Sequence, residues 1–86
     1  MGYTKEEIES KIRFIVADKT WSHEDDVKED SLLKDELGAD SLDIVDIVMT
    51  IERDFDIQIP DSELDALGSK TVGDLCRFVE QKVNNK

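Results

Sequence analysis

Apolar residues recur every three or four positions in three separate stretches of this 86-residue chain, at about residues 4–18, 41–54 and 71–83. This spacing puts apolar side chains on one face of an α-helix, whereas a half-buried strand would need strict alternation. The pattern therefore predicts an all-α fold, in which amphipathic helices bury their apolar faces against one another.

Residues that favour helix starts stand at the beginning of each stretch. A hydroxyl or carboxylate at the N-cap accepts a hydrogen bond from a free amide of the first turn, and an acidic residue three positions later completes a capping box or adds favourable negative charge. The predicted caps are Thr4, Asp40 and Thr71, and the acidic residues that follow them are Glu7, Asp43 and Asp74.

The connecting segments complete the predicted architecture. Residues 19–30 are polar and aperiodic, which predicts a long loop with Trp21 and Val27 as its anchors onto the core. Leucines before Gly38 predict a helical turn, Pro60 ends the second helix in an extended segment, and residues 61–67 read as a short helix. The expected fold is a small four-helix bundle, with three longer helices, one short helix and a long loop after the first.

Length, charge and cysteine content narrow the class of protein. Eighty-six residues predict one domain over residues 1–86, with a modest core. A net charge of −11 disfavours binding to nucleic acids and anionic membranes and favours basic protein partners. The single cysteine, Cys76, excludes an internal disulfide, and the N-terminus lacks the features of a signal peptide, so we expect a cytoplasmic protein.

The negative charge is concentrated in residues 35–65, which contain eleven acidic residues and one basic residue, Arg53. Such a segment can be merely a solvated face. The second helix, however, carries two apolar stripes, and an outer helix of a small bundle rarely buries both. We expect a partly exposed stripe rimmed by acids, suited to docking basic partners, with a broad core as the alternative. The inward stripe is Ile44, Ile47, Val48, Ile51 and Phe55; the outer stripe is Leu42, Val45 and Met49.

Few side chains in this chain are candidates for chemistry. One cysteine and one histidine disfavour a zinc site, no segment fits a calcium-binding loop, and the acidic segment offers at most weak divalent-cation binding. We expect no catalytic residues and no metal site. His23 is expected to be a surface residue and Cys76 a small buried one.

Ser41 occupies a chemically useful position. If Asp40 caps the second helix, Ser41 is its first helical residue, and its hydroxyl is not needed for capping. The free amides and the positive dipole end of the helix favour a phosphate ester there. A hydrolytic role is disfavoured because no base is placed to activate the hydroxyl.

The sequence DSLLKDELGADSLD at residues 30–43 resembles the signature of the bacterial acyl carrier proteins. The similarity continues in register through Phe55-Asp56 and Ile59-Pro60-Asp61 to Thr71-Val72, and so covers most of the chain. The resemblance implies a four-helix bundle in which Ser41 carries 4′-phosphopantetheine, attached by a holo-acyl-carrier-protein synthase. It implies that the protein is a carrier, not an enzyme, and that it holds acyl chains as thioesters for fatty-acid or polyketide synthesis enzymes.

The resemblance also implies roles for other residues of the second helix. Partner enzymes would dock on Asp40, Leu42, Val45, Asp46, Met49 and Glu52, and acyl chains would lie against Ile47, Val48, Ile51 and Phe55. Four residues depart from the family pattern, at positions that bear on which partner enzymes and which acyl chains the carrier serves. They are Arg53, Ile44, and Trp21 with His23. A monomeric general fatty-acid carrier is the first expectation. A specialised carrier for polyketides, unusual lipids or amino-acyl groups is the alternative, and an unmodified acidic interaction or cation-binding module is the hypothesis from another class.

Overall fold

Three α-helices lie within the residues that the computed structural model describes, which are 3–60, 62–63 and 70–84. They are α1 (Lys5–Thr20), α2 (Ser41–Phe55) and α3 (Val72–Asn84), and a single 3₁₀ turn covers Glu24–Asp26. Helix α1 packs against both α2 and α3. The predicted all-α class is confirmed, and each helix lies within two residues of its predicted bounds.

Helices α1 and α3 begin with the predicted capping boxes. The Thr4 hydroxyl accepts from the Glu7 amide at 3.1 Å, and the Glu7 carboxylate accepts from the Thr4 amide at 3.0 Å. Thr71 and Asp74 repeat the arrangement at 3.1 and 3.3 Å. The hydrogen bond from the Thr4 amide lowers the pKa of Glu7. The hydrogen bond from the Thr71 amide, together with one from the Arg77 side chain, lowers the pKa of Asp74.

The end of α1 corrects one prediction. Trp21 is the C-cap, in the left-handed region at φ 59°, and its amide donates to the Ala17 carbonyl. The side chain is 97% exposed, so the prediction that Trp21 anchors the loop onto the core is wrong. The physical reason is the left-handed turn at Trp21, which ends the helix and leaves the indole in solvent.

Val27 is the anchor that the sequence predicted correctly, and it is completely buried. The half-buried Arg13 side chain holds the loop beside it, because its Nε donates to the Val27 carbonyl at 3.0 Å and its Nη2 to the Glu24 carbonyl at 3.1 Å. Ser31 is also buried, and its hydroxyl accepts from the Lys28 amide at 3.0 Å. The loop after α1 is therefore tied to the bundle by both packing and hydrogen bonds.

The second half of this loop is joined to the start of α3. Leu32 and Thr71 form an isolated antiparallel bridge, and the Val72 amide donates to the Ser31 carbonyl at 2.9 Å. The Gly73 amide donates to the Glu29 carbonyl at 2.7 Å. A predicted helical turn follows at residues 33–37, with Leu33 buried, and Gly38 then takes a φ of +71° that leads the chain into α2.

The core forms where the apolar faces of the three helices meet. The five inward residues of α2 and the apolar stripe of α3 are buried there, as predicted. Tyr3 closes one end: its ring packs edge-on against Phe55, with centroids 4.9 Å apart, and its hydroxyl donates to the Asp54 carbonyl at 3.3 Å. Helix α2 is thus fixed in orientation, with one face committed to the interior.

The fourth, short helix predicted for residues 61–67 is not confirmed. Ser62 and Glu63 are helical, and the Glu63 amide donates to the Pro60 carbonyl at 3.0 Å. The other residues of that prediction, 61 and 64–67, lie outside the described residues. Within the described ranges, no helix has the length and apolar character needed to cross a membrane.

Candidate attachment site and docking face

Ser41 is the first residue of α2 and is exposed to solvent. Its position is set by Asp40, the N-cap, whose carboxylate accepts from the Asp43 amide at 2.9 Å. The Asp43 carboxylate accepts in return from the Asp40 amide at 3.3 Å, which completes a capping box around the serine. The predicted helix start and cap are therefore confirmed, and the reciprocal bonds hold this turn in a defined shape.

The Ser41 hydroxyl can accept a large substituent. Asp40 does the capping, and among the described residues the Ser41 hydroxyl has no hydrogen-bond partner. An exposed hydroxyl at a helix start can be esterified without disturbing the core or the cap. These features fit a phosphodiester-linked arm that extends into solvent.

The electrostatic field at this helix start is mixed. The free amides of the first turn and the helix dipole favour negative charge. The carboxylates of Asp40 and Asp43 already occupy part of that field. A phosphate on Ser41 would share the helix end with two negative groups, so an outward orientation of the arm is favoured over one folded onto the cap.

The outer face of α2 carries large apolar side chains that the core does not cover. Leu42 is 79% exposed, Met49 61% and Val45 39%, whereas the residues of the inward stripe, one or two positions away, are buried. Spacings of three and four residues align these three side chains along one side of the helix, beginning beside Ser41. The alternative that α2 is buried on all sides as a broad core is excluded.

Two acidic side chains of this face have partners within the chain. The exposed Asp46 carboxylate lies 3.4 Å from the ammonium of the half-buried Lys19 at the end of α1. The half-buried Glu52 accepts from the Ile59 amide at 2.8 Å and so ties the end of α2 to the extended segment. Sequence reasoning missed both contacts, because Lys19 and Ile59 lie outside α2 and only tertiary packing brings them to their partners.

The four residues expected to contact an acyl chain, Ile47, Val48, Ile51 and Phe55, are all buried in the core. They lie on the side of α2 opposite the exposed stripe. An apolar chain that reached them would leave water for a surface made of side-chain carbon. A role in sheltering an acyl chain stays a prediction for these positions.

Other candidate reactive groups are placed unfavourably for chemistry. Burial raises the pKa of the Cys76 thiol to about 11, so at neutral pH it is a protonated, unreactive group. His23 is exposed in the loop after α1, and among the described residues no base contacts the Ser41 hydroxyl. No group of three or more potential metal ligands is found in the part of the chain that is described.

The fold and the site together define a class: a small helical domain that presents a serine at a helix start, beside an apolar strip, with no group in the described ranges placed to activate the serine. Comparison with known families agrees with this class. Residues 10–79 match the family described as phosphopantetheine attachment site, which covers most of the chain.

Relatives of similar length extend the match. The chain is 41% identical over 80 residues to the acyl carrier protein of Thermotoga maritima, covering 93% of this chain and 96% of the relative. It is 46% identical over 79 residues to that of Prochlorococcus marinus, covering 92% and 96%. It is 44% identical over 71 residues to that of Clostridium perfringens, covering 83% and 91%. The chain belongs to the acyl carrier protein family, whose members are carriers with a phosphopantetheine prosthetic group and are not enzymes.

Proposed function

We propose that Ser41 is the residue that carries 4′-phosphopantetheine and that the chain delivers acyl groups to the enzymes of fatty-acid synthesis. The observation that carries this proposal is an exposed, unengaged hydroxyl at the start of α2, next to the exposed side chain of Leu42. When bound, the prosthetic group supplies a long arm whose terminal thiol holds an acyl chain as a thioester. The chain's own thiol, Cys76, does not compete for the acyl group because it is buried and protonated.

The residues around Ser41 then have separate tasks. Asp40 and Asp43 hold the helix start through the capping box, so the attachment point is rigid. Leu42, Val45 and Met49 offer apolar contact to a partner, and Asp40, Asp46 and Glu52 attract basic side chains on it. Ile47, Val48, Ile51 and Phe55 shelter the acyl chain inside the bundle between partners.

Mass spectrometry tests the attachment. The chain is incubated with coenzyme A and a holo-acyl-carrier-protein synthase, and its intact mass is measured beside two variants. A mass gain of one phosphopantetheine is expected for the native chain and for Ser10→Ala, which removes an exposed serine of α1. Ser41→Ala should show no gain. A chain that stays unmodified while a known carrier is modified in the same reaction would refute the proposal.

Enzyme kinetics test the docking face. Met49→Ser removes an exposed apolar side chain from the outer face of α2, and Phe14→Ser removes one of similar exposure from α1. Loss of one apolar contact of about 1 kcal/mol raises the KM of the synthase about fivefold for Met49→Ser. The KM for Phe14→Ser should stay near that of the native chain. Equal effects of the two changes would remove the special role of α2.

The remaining features of the proposed carrier follow from the same reasoning. It acts as a single domain over residues 1–86, as a monomer in the cytoplasm, with a short fourth helix between α2 and α3. The helical Ser62 and Glu63 and the negative charge of the chain support the helix and the monomer, since like-charged copies repel one another. The chain serves general fatty-acid synthesis, because its relatives are named simply acyl carrier protein.

A further inference from the structure

Trp21 is a large aromatic side chain that the fold does not use. It is 97% exposed, the most exposed of the large apolar side chains described, and it is the only tryptophan in the chain. Burial in the core therefore gives no reason for a tryptophan at this position. A single exposed apolar side chain is common on protein surfaces, so the case for a partner rests on the backbone at Trp21 and on the charged groups beside it.

The backbone at Trp21 makes the choice of residue more unusual. Its φ of 59° lies in the left-handed region, where glycine is the favoured residue because it has no Cβ to clash. A bulky side chain in that conformation is strained. Both the backbone and the solvent exposure favour glycine or asparagine at this helix end, so the tryptophan lowers the stability of the free protein.

The surroundings of Trp21 connect it to the outer face of α2. It lines an open groove of about 570 Å³ together with Lys19, Ser22, Asp43 and Asp46. The ion pair between Lys19 and Asp46 fastens this end of α1 to α2. The Ser22 amide donates to the Ala17 carbonyl at 2.9 Å, which holds the turn that bears the indole. Trp21 therefore stands on a fixed support beside the first two turns of the helix that begins at Ser41.

We propose that Trp21 extends the docking face of α2 and that the basic enzymes that dock there cover it, with an arginine stacked on the indole. This inference rests on the proposed docking function of α2. An arginine is the complementary group because it stacks on an aromatic face and pairs with the carboxylates of Asp43 and Asp46 at the same time. The groove is lined by the indole, by three acids (Asp18, Asp43 and Asp46) and by one base, Lys19, so its lining is net negative.

The single tryptophan allows a direct test. The chain is labelled with 5-fluorotryptophan, which gives one ¹⁹F resonance, and is titrated with a holo-acyl-carrier-protein synthase that contains no label. Coverage of Trp21 is expected to shift this resonance with saturation and to reduce its response to a soluble paramagnetic quencher. The raised KM of Met49→Ser establishes separately that the synthase docks on α2. If that result is obtained and the Trp21 resonance is unchanged at saturating synthase, the proposal is overturned.

Variants give a second and independent readout. Trp21→Gly is expected to raise the KM of the synthase about two- to fivefold, the size of one exposed cation–π contact, with kcat unchanged. Its melting temperature should equal or exceed that of the native chain, since glycine relieves the left-handed strain. Phe14→Ser, which removes another exposed aromatic ring from α1, is the matched control and should leave KM unchanged. An unchanged KM for Trp21→Gly would also overturn the proposal.

The same experiments separate this inference from the function on which it rests. Modification of Ser41 with normal KM in Trp21→Gly would refute the role of Trp21 and leave the carrier function intact. Absence of modification in every variant would refute the carrier function itself. A ¹⁹F resonance that moves with the concentration of the chain alone would mean that a second copy covers Trp21, which contradicts the assignment of a basic partner.

Discussion

Substitutions on the two faces of α2 are predicted to change the free energy of unfolding very differently, even at residues that are only two positions apart. Ile51 is completely buried and Met49 is 61% exposed, although both lie in the same helix. Ile51→Ala removes buried carbon and leaves a cavity, which lowers the free energy of unfolding by about 2–5 kcal/mol. Met49→Ala removes mostly solvated surface, and its effect should stay within about 0.5 kcal/mol.

The loss expected for Ile51→Ala is large relative to the total free energy of unfolding of the domain. A stability of roughly 0.05–0.15 kcal/mol per residue gives a chain of 86 residues about 4–13 kcal/mol. Ile51→Ala therefore removes a large share, and at about 4–8 °C per kcal/mol its melting temperature falls by at least about 8 °C. If this variant does not fold, Ile51→Val gives a graded version, with an expected loss of about 0.5–1.5 kcal/mol.

Urea denaturation followed by far-ultraviolet circular dichroism measures both free energies of unfolding. Tryptophan fluorescence is unsuitable because Trp21 is already solvated in the folded chain and reports little on unfolding. Equal losses for Ile51→Ala and Met49→Ala would refute the assignment of α2 to an inward and an outward face. A loss confined to Met49→Ala would invert it.

Three further predictions test the packing, the capping and the charge. Gly73→Ala should lower the melting temperature by several degrees, because its Cβ would lie 3.0 Å from the Glu29 carbonyl oxygen; a thermal scan showing no loss would mean that the loop yields freely. Asp74→Asn should destabilise the fold at neutral pH, and less so below about pH 3.8, the ordinary pKa of this carboxyl. The folded state lowers the pKa of Asp74, so the stability that its charge contributes is present above the ordinary pKa and is lost as the pH falls through the folded-state pKa. A loss of stability in Asp74→Asn that does not change with pH would contradict the capping role. Added salt or millimolar divalent cation should raise the melting temperature by screening the acidic segment 35–65, and unchanged melting across both titrations would show that its self-repulsion is negligible.

Local signals in the sequence predict most of the fold. Capping depends on residues three positions apart, so the pairing of Thr4 with Glu7 and of Thr71 with Asp74 follows from the order of residues alone. The division of α2 into two faces also follows from spacing. The same local rule identifies Asp40 as the cap and so places Ser41 correctly as the first helical residue.

Features that depend on tertiary contacts are not predictable in this way. The pairing of Asp46 with Lys19 requires the packing of α1 on α2, and the sequence offers many acids as alternatives. The bridge between Leu32 and Thr71 joins segments that are distant in the sequence. The exposure of Trp21 escapes prediction because an aromatic residue in a polar loop usually packs inward, and a left-handed C-cap normally bears glycine.

The central claim is that Ser41 carries the prosthetic group, and fragment mass spectrometry of the modified chain tests it at the level of one residue. After reaction with coenzyme A and the synthase, the chain is cleaved and the peptide that contains residues 40–43 is fragmented. The added mass is predicted on Ser41 and on no other residue. Addition at another serine, or modification that persists in Ser41→Ala, would contradict the claim.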